Sequence, residues 1–162
     1  MLDQELLERA ERLAVVLKAS GETVAVAEGS AGGLISAALL SVPGASAYYL
    51  GGIVAYTFRA VRAFASPVLD PPEGMRGATE QFAAYLAQAA AIALGSSWAI
   101  GEAGAAGPPN RYGDPAGHGW VAVATAERVV SAKHLLTGSD DRHENMVAFA
   151  AGALDLLAAA IG

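Results

Sequence analysis

Leu2, Leu6, Leu13 and Leu17 recur near a 3.6-residue period, with Glu5, Glu8, Glu11 and Arg12 mostly on other faces. This predicts an amphipathic helix that stops at Ser20-Gly21. The period then changes. Thr23 to Ala27 is short and partly β-branched, Glu28-Gly29-Ser30-Ala31-Gly32-Gly33 follows at once, and Leu34, Ile35, Ala38 and Leu39 restore helical spacing. The pattern is a strand, a glycine-rich turn and a helix that ends at Val42-Pro43-Gly44. A second strand is expected from Tyr48 to Tyr56, then a short helix over Thr57 to Phe64 and a proline-bearing loop from Ser66 to Gly77. Thr79 is placed to cap a long helix reaching Leu94, with Phe82, Leu86, Ala89 and Ile92 on one side. Trp98 to Gly101 reads as a short strand opening into a long Gly- and Pro-rich loop, Gly101 to Gly119. Gly119 to Ala124 and Arg128 to Leu136, separated only by Thr125-Ala126-Glu127, suggest an antiparallel pair. A last helix begins near Ser139-Asp140-Asp141 and runs nearly to Gly162.

Helices alternating with about five short strands predict an α/β fold, a three-layer α/β/α sandwich on a mixed sheet. With 162 residues there is room for one core, so residues 1–162 are read as a single domain. The chain is 54% hydrophobic and 16% charged, which excludes disorder; 38 alanines and 19 glycines make that apolarity one of small side chains. Sixteen acidic residues against ten basic ones give a net charge of −6 and no basic face for nucleic acid. No uninterrupted apolar run reaches about eighteen residues, so no membrane partner is expected. The charged, helical start does not fit a secretory signal, and the absence of cysteine removes disulfides and thiolate chemistry. A cytoplasmic domain with an acidic surface is the expectation. The alanine-rich runs Ala83–Ala93 and Ala148–Ala160 suit packing inside the monomer, or else between subunits of a homo-oligomer.

Ligands of open α/β sheets collect at the carboxyl ends of the strands, which selects Glu28–Gly33, Ala55–Arg62 and Gly101–Gly119. Small consecutive residues in the first segment, Gly29, Gly32 and Gly33 among them, leave backbone N–H groups free to hold a phosphate, a carboxylate or an oxyanion. The competing reading is that these glycines only permit tight helix–sheet packing. Ser30 is the one hydroxyl there; as a helix cap it is ordinary, as a nucleophile it would be the centre of the site. Tyr56 and Thr57 end the second strand near the same crevice, and Arg59 and Arg62 either neutralise an anion or form a solvated helix face. His118, His134 and His143 show no paired ligand spacing, so no metal site is expected.

Taken in order, these segments resemble the C-terminal domain of the competence/damage-inducible protein CinA over nearly the whole chain. Ala27-Glu28-Gly29-Ser30-Ala31-Gly32-Gly33-Leu34 is similar to the family's A-E-S-C-T-G-G-L. Val42 to Tyr56 is similar to V-P-G-S-S-x-x-F-x-G-G-x-V-x-Y, Gly77-Ala78-Thr79 to the start of the middle helix, and Asp141-Arg142 to the D-R before the last one. The resemblance implies a five-stranded mixed sheet with one antiparallel strand. It also implies hydrolysis of the carboxamide of nicotinamide mononucleotide by a motif serine, assisted by a tyrosine and a lysine, with no cofactor.

The sequence departs from the family where that chemistry lies. The motif serine falls on Gly29 and the lysine on Val61, while the tyrosine is kept as Tyr56. The threonine of T-G-I-A-G-P becomes Glu102. The resulting expectation is a family scaffold without the standard deamidase activity, still able to hold a small nucleotide-like ligand through Glu28, Gly29, Gly32, Gly33, Thr57, Arg59, Glu102 and Arg142. The alternative is an active amide hydrolase with Ser30 as nucleophile and Tyr56 assisting.

Overall fold

A computed structural model describes all 162 residues. In chain order the elements are α1 (Gln4–Ser20), β1 (Val24–Glu28), α2 (Leu34–Leu40), a 3₁₀ turn (Ala45–Ala47), β2 (Tyr49–Val54), α3 (Phe58–Phe64) and α4 (Glu80–Leu94). Then come β3 (Trp98–Ala105), β4 (His118–Ala124), β5 (Val129–Leu136) and α5 (Arg142–Ile161). The sheet order is β2-β1-β3-β4-β5. β1 pairs in parallel with β2 and β3, whereas β4 runs antiparallel to both β3 and β5, so β4 is the single reversed strand.

Helix ends follow local chemistry. Asp3 caps α1 through the N–H of Glu5, and Gly21 closes it in the left-handed region with its N–H on the carbonyl of Leu17. Thr57, Thr79 and Asp141 cap α3, α4 and α5 through the N–H groups of Ala60, Phe82 and Glu144. Alternation along the strands sorts the two faces. Val24, Val26, Ile100, Val121 and Val123 join a core with α1, α2 and α5, while Ala27, Ala103, Ala122 and Ala124 face α3 and α4.

The alanine content has a packing reason on the second face. A Cβ on Gly101 would run into the carbonyl oxygen of Ala83 and come within 2.6 Å of the amide nitrogen of Ala87. The backbone of α4 therefore rests directly on β3, and Ala83, Ala87 and Ala91 are wholly buried there. On the other face, α5 is long and apolar enough by length and composition to cross a membrane, although it contains no uninterrupted apolar run of that length. Here it lies against the sheet, with Phe149, Leu154 and Leu157 fully buried.

One expectation fails. The strand expected to end at Gly101 continues to Ala105, so Glu102 is a strand residue and not part of a loop. Pairing on both sides holds this Gly- and Ala-rich stretch extended: Gly101 lies opposite Ala27 and Ala122, and Glu102 opposite Glu28 and Val121. Tertiary pairing overrides weak β-propensity. The remaining loop starts after Ala105.

Candidate functional site at the glycine-rich turn

Glu28 ends β1 and lies in register with Glu102 on the neighbouring strand; both are fully buried. The parity of the strands sends both carboxylates toward α2 and α5. Glu28 accepts the N–H groups of Gly33 at 2.9 Å, Ile35 at 3.1 Å and Ser36 at 3.0 Å. It thus serves the exposed N–H groups at the start of α2, whose own cap residue, Gly33, makes no side-chain cap bond. Burial still raises the Glu28 carboxyl above its ordinary value, against the lowering effect of these bonds.

Glu102 holds the turn itself. One carboxylate oxygen accepts the N–H groups of Gly29 at 3.0 Å and Ala31 at 2.8 Å. The other accepts a short hydrogen bond from the Ser30 hydroxyl. Desolvation is the main influence on this carboxyl and lifts it from 4.5 to about 7, with the bonds from Ser30 and Ala31 pulling the other way. Gly32 and Gly33 adopt φ of 68° and 98°, the left-handed region that lets the turn fold over this carboxylate.

Ser30 does not cap α2; Glu28 fills that role, and the serine turns inward. It is 6% exposed and lies over Gly104, where an added Cβ would come 2.9 Å from its Oγ. The nest of N–H groups recognised in the sequence is present, and its occupant is the chain's own carboxylate.

A second, open cluster lies at the N-terminus of α5. Arg142 donates to the hydroxyl of Tyr56 at 3.0 Å and, by a short bond, to the carbonyl of Gly107. A cavity of about 430 Å³ is lined by Gly107, Pro108, Pro109, Ala116, Asp140 and Arg142. Buried Asn145 holds its walls, donating to the carbonyls of Ala106 at 2.8 Å and Ser139 at 2.9 Å.

The expected site residues therefore divide. Glu28, Gly29, Ser30, Gly32, Gly33 and Glu102 form the closed cluster, while Tyr56 and Arg142 belong to the open one. Ser30 and Tyr56 share no hydrogen bond: their hydroxyls engage Glu102 and Arg142. The Thr57 hydroxyl is taken up in capping α3, and Arg59 is exposed on that helix without an ion-pair partner. No group of three or more His, Cys, Asp or Glu side chains gathers as a metal centre. Sequence reasoning missed Asn145, which has no motif to mark it, and the meeting of His118 with His134 across the β4–β5 pair at 2.7 Å.

Comparison with known proteins agrees with this architecture. The CinA C-terminal domain family matches residues 7–161. A protein named for competence-damage induction from Desulforamulus reducens is 33% identical over 119 residues, covering 74% of this chain and 29% of its own length. A CinA-like protein from Sulfurihydrogenibium is 49% identical over 53 residues, which is 33% of this chain and 13% of that protein. The matched stretches thus cover less than a third of the length of either relative. Among solved structures, the competence/damage inducible protein CihA from Agrobacterium tumefaciens aligns with a TM-score of 0.88 at 27% identity, over 98% of this chain and 97% of that one. A CinA superfamily protein from Escherichia coli shares the fold with a TM-score of 0.86 at 22% identity, over 98% and 92% of the two chains. Sequence match and shared architecture lead to one conclusion: the chain belongs to the CinA C-terminal domain family.

Proposed function

We propose that this chain is a non-hydrolytic member of its family, one that holds a small nucleotide-like ligand in the Arg142 crevice without cutting its amide. The observation carrying this reading is the position of Glu102. Amide hydrolysis through the turn needs a free nucleophile and unoccupied N–H donors aimed at the developing oxyanion. In this chain the Ser30 hydroxyl and the N–H groups of Gly29 and Ala31 all face one internal carboxylate. Displacing it would leave a buried acid without its partners, at a cost of about 1–3 kcal/mol or more.

The crevice supports the binding half of the proposal. Its volume of about 430 Å³ falls within the range of small-molecule sites, and Arg142 supplies a fixed positive group beside a tyrosine hydroxyl. Gly29 and Val61, standing where the family has serine and lysine, are consistent with a ligand that is held and not processed.

A second reading has one observation in its favour. A carboxyl poised near 7 and bonded to a serine hydroxyl is suited to act as a general base, which would make Ser30 a nucleophile once the turn opened. Ammonia release from nicotinamide mononucleotide, measured beside calorimetric binding of the same compound, separates the two. The expected result is binding weakened about tenfold or more by Arg142→Ala, with ammonia no higher than in a denatured control. Ammonia release abolished by Ser30→Ala would establish the second reading, and absence of binding would remove the ligand from the first.

A further inference from the structure

The β4–β5 pair carries two imidazoles that meet on the side facing α4. His134 lies opposite Trp120 in the register and His118 opposite Leu136, so the two histidines are diagonal neighbours. Nε2 of His134 stands 2.7 Å from Nδ1 of His118. The other nitrogen of His118, Nε2, is 2.8 Å from the carbonyl oxygen of Ala78 and 3.8 Å from a carboxylate oxygen of Asp114. A carbonyl can only accept, so Nε2 carries a proton, and in the neutral form of the ring the lone pair lies on Nδ1, toward His134.

Such an arrangement is what a metal-binding histidine needs around it: one nitrogen free, the other donating to a carbonyl or carboxylate that fixes tautomer and ring orientation. Asp114 is itself fixed, accepting from Arg76 at 2.9 Å and Asn110 at 2.9 Å, and the bond from Arg76 holds its carboxyl below the ordinary range. Trp120 packs against the His134 ring with centroids 5.1 Å apart.

We propose that His118 Nδ1 and His134 Nε2 form a two-histidine site for an imidazole-preferring divalent transition ion of the Zn²⁺, Cu²⁺ and Ni²⁺ class. On binding, His134 changes tautomer: its proton passes through water from Nε2 to Nδ1, and the lone pairs of His134 Nε2 and His118 Nδ1 bind the ion. Water completes the coordination, because His134 is exposed. Two metal–nitrogen bonds of about 2.0–2.1 Å at a tetrahedral angle place the nitrogens roughly 3.4 Å apart. From 2.7 Å the pair therefore opens by about 0.7 Å, and the exposed His134 supplies that movement. Hard cations such as Mg²⁺ favour oxygen ligands and are excluded. A bound ion would tie the β4–β5 pair, through His118, to Ala78 ahead of α4 and to the loop carrying Asp114. The site is independent of the proposed ligand crevice.

The test is titration of the full chain, without a polyhistidine tag, with ZnCl₂, CuCl₂, NiCl₂ and MgCl₂ by calorimetry, together with electron paramagnetic resonance of the Cu²⁺ form. The expected result is one ion per chain for at least one transition metal and none for Mg²⁺, with two nitrogen donors on Cu²⁺. Affinity should fall at least about tenfold in His134→Gln, an exposed position where folding is preserved, and be unchanged in His143→Gln. No stoichiometric binding at millimolar metal, or binding unaltered by His134→Gln, would overturn the proposal.

Discussion

The hydroxyl of Ser30, on the turn after β1, donates a short hydrogen bond to the buried carboxylate of Glu102 on β3. The other oxygen of that carboxylate takes the N–H groups on either side of the serine. One acidic side chain thereby closes three residues of backbone around itself. The arrangement also tolerates protonation: a neutral Glu102 can donate to the Ser30 oxygen while its carbonyl oxygen keeps both N–H bonds. Folding therefore favours the protonated acid without dismantling the turn.

Stability should consequently depend on pH. Burial raises Glu102 to about 7 in the folded chain, against an ordinary 4.5. A raised folded value means that its contribution is complete below the unfolded value and is lost as pH climbs through about 7. Glu28, also raised by burial, acts in the same direction. Between pH 4.5 and 8 the folded state is expected to lose on the order of 3 kcal/mol from Glu102, at about 1.4 kcal/mol per pH unit of displacement. Glu102→Gln keeps the shape, with the amide oxygen accepting both N–H groups and the amide nitrogen donating to Ser30. Denaturant melts across this pH range should show most of the slope gone in that variant.

Replacing Ser30 by alanine leaves one oxygen of Glu102 without its partner in a dry site. The expected loss at pH 8 is about 1–3 kcal/mol, read from denaturant midpoints. A hydroxyl standing in water would be removed with almost no change in stability, so the melt tests the bond from Ser30 to Glu102.

Gly101→Ala should be among the more damaging single-methyl additions in the protein. The new Cβ would meet backbone atoms of Ala83 and Ala87, and α4 has no flexible side chain there to yield. A loss of about 1–3 kcal/mol or more is expected. Gly95→Ala is a useful comparison. Its Cβ would enter open space, so its cost comes from the left-handed φ of 63° alone.

Tyr56→Phe removes the acceptor of one Arg142 bond while leaving the bond to Gly107. Tyr56 is 62% exposed, so the melting temperature should scarcely move. Affinity for nicotinamide mononucleotide, measured by calorimetry, should fall because the guanidinium is less firmly aimed.

Much of the architecture was legible in the sequence because local signals agreed with one another. The leucine spacing of α1, the glycine stop at Gly21, the threonine and aspartate caps and the closing antiparallel pair each specify an element without reference to distant residues. The second half of β3 is not legible, because Gly101, Ala103 and Gly104 carry no β signal of their own; they are held extended by β1 and β4. The site was legible as a location, but the group that fills the turn was not. Glycines in the turn announce a nest of N–H groups, but nothing local announces that an acid 71 residues from Ala31 fills it. That fact depends on strand register, as does the meeting of His118 and His134.

Carbon-13 and amide NMR through a pH titration would show most directly whether Glu102 lies inside the turn. The expected result is a Glu102 carboxyl titrating near 7, with the amide signals of Gly29 and Ala31 moving along the same curve. A carboxyl titrating near 4, with those two amides indifferent to it, would mean that the acid is in water and the nest is open.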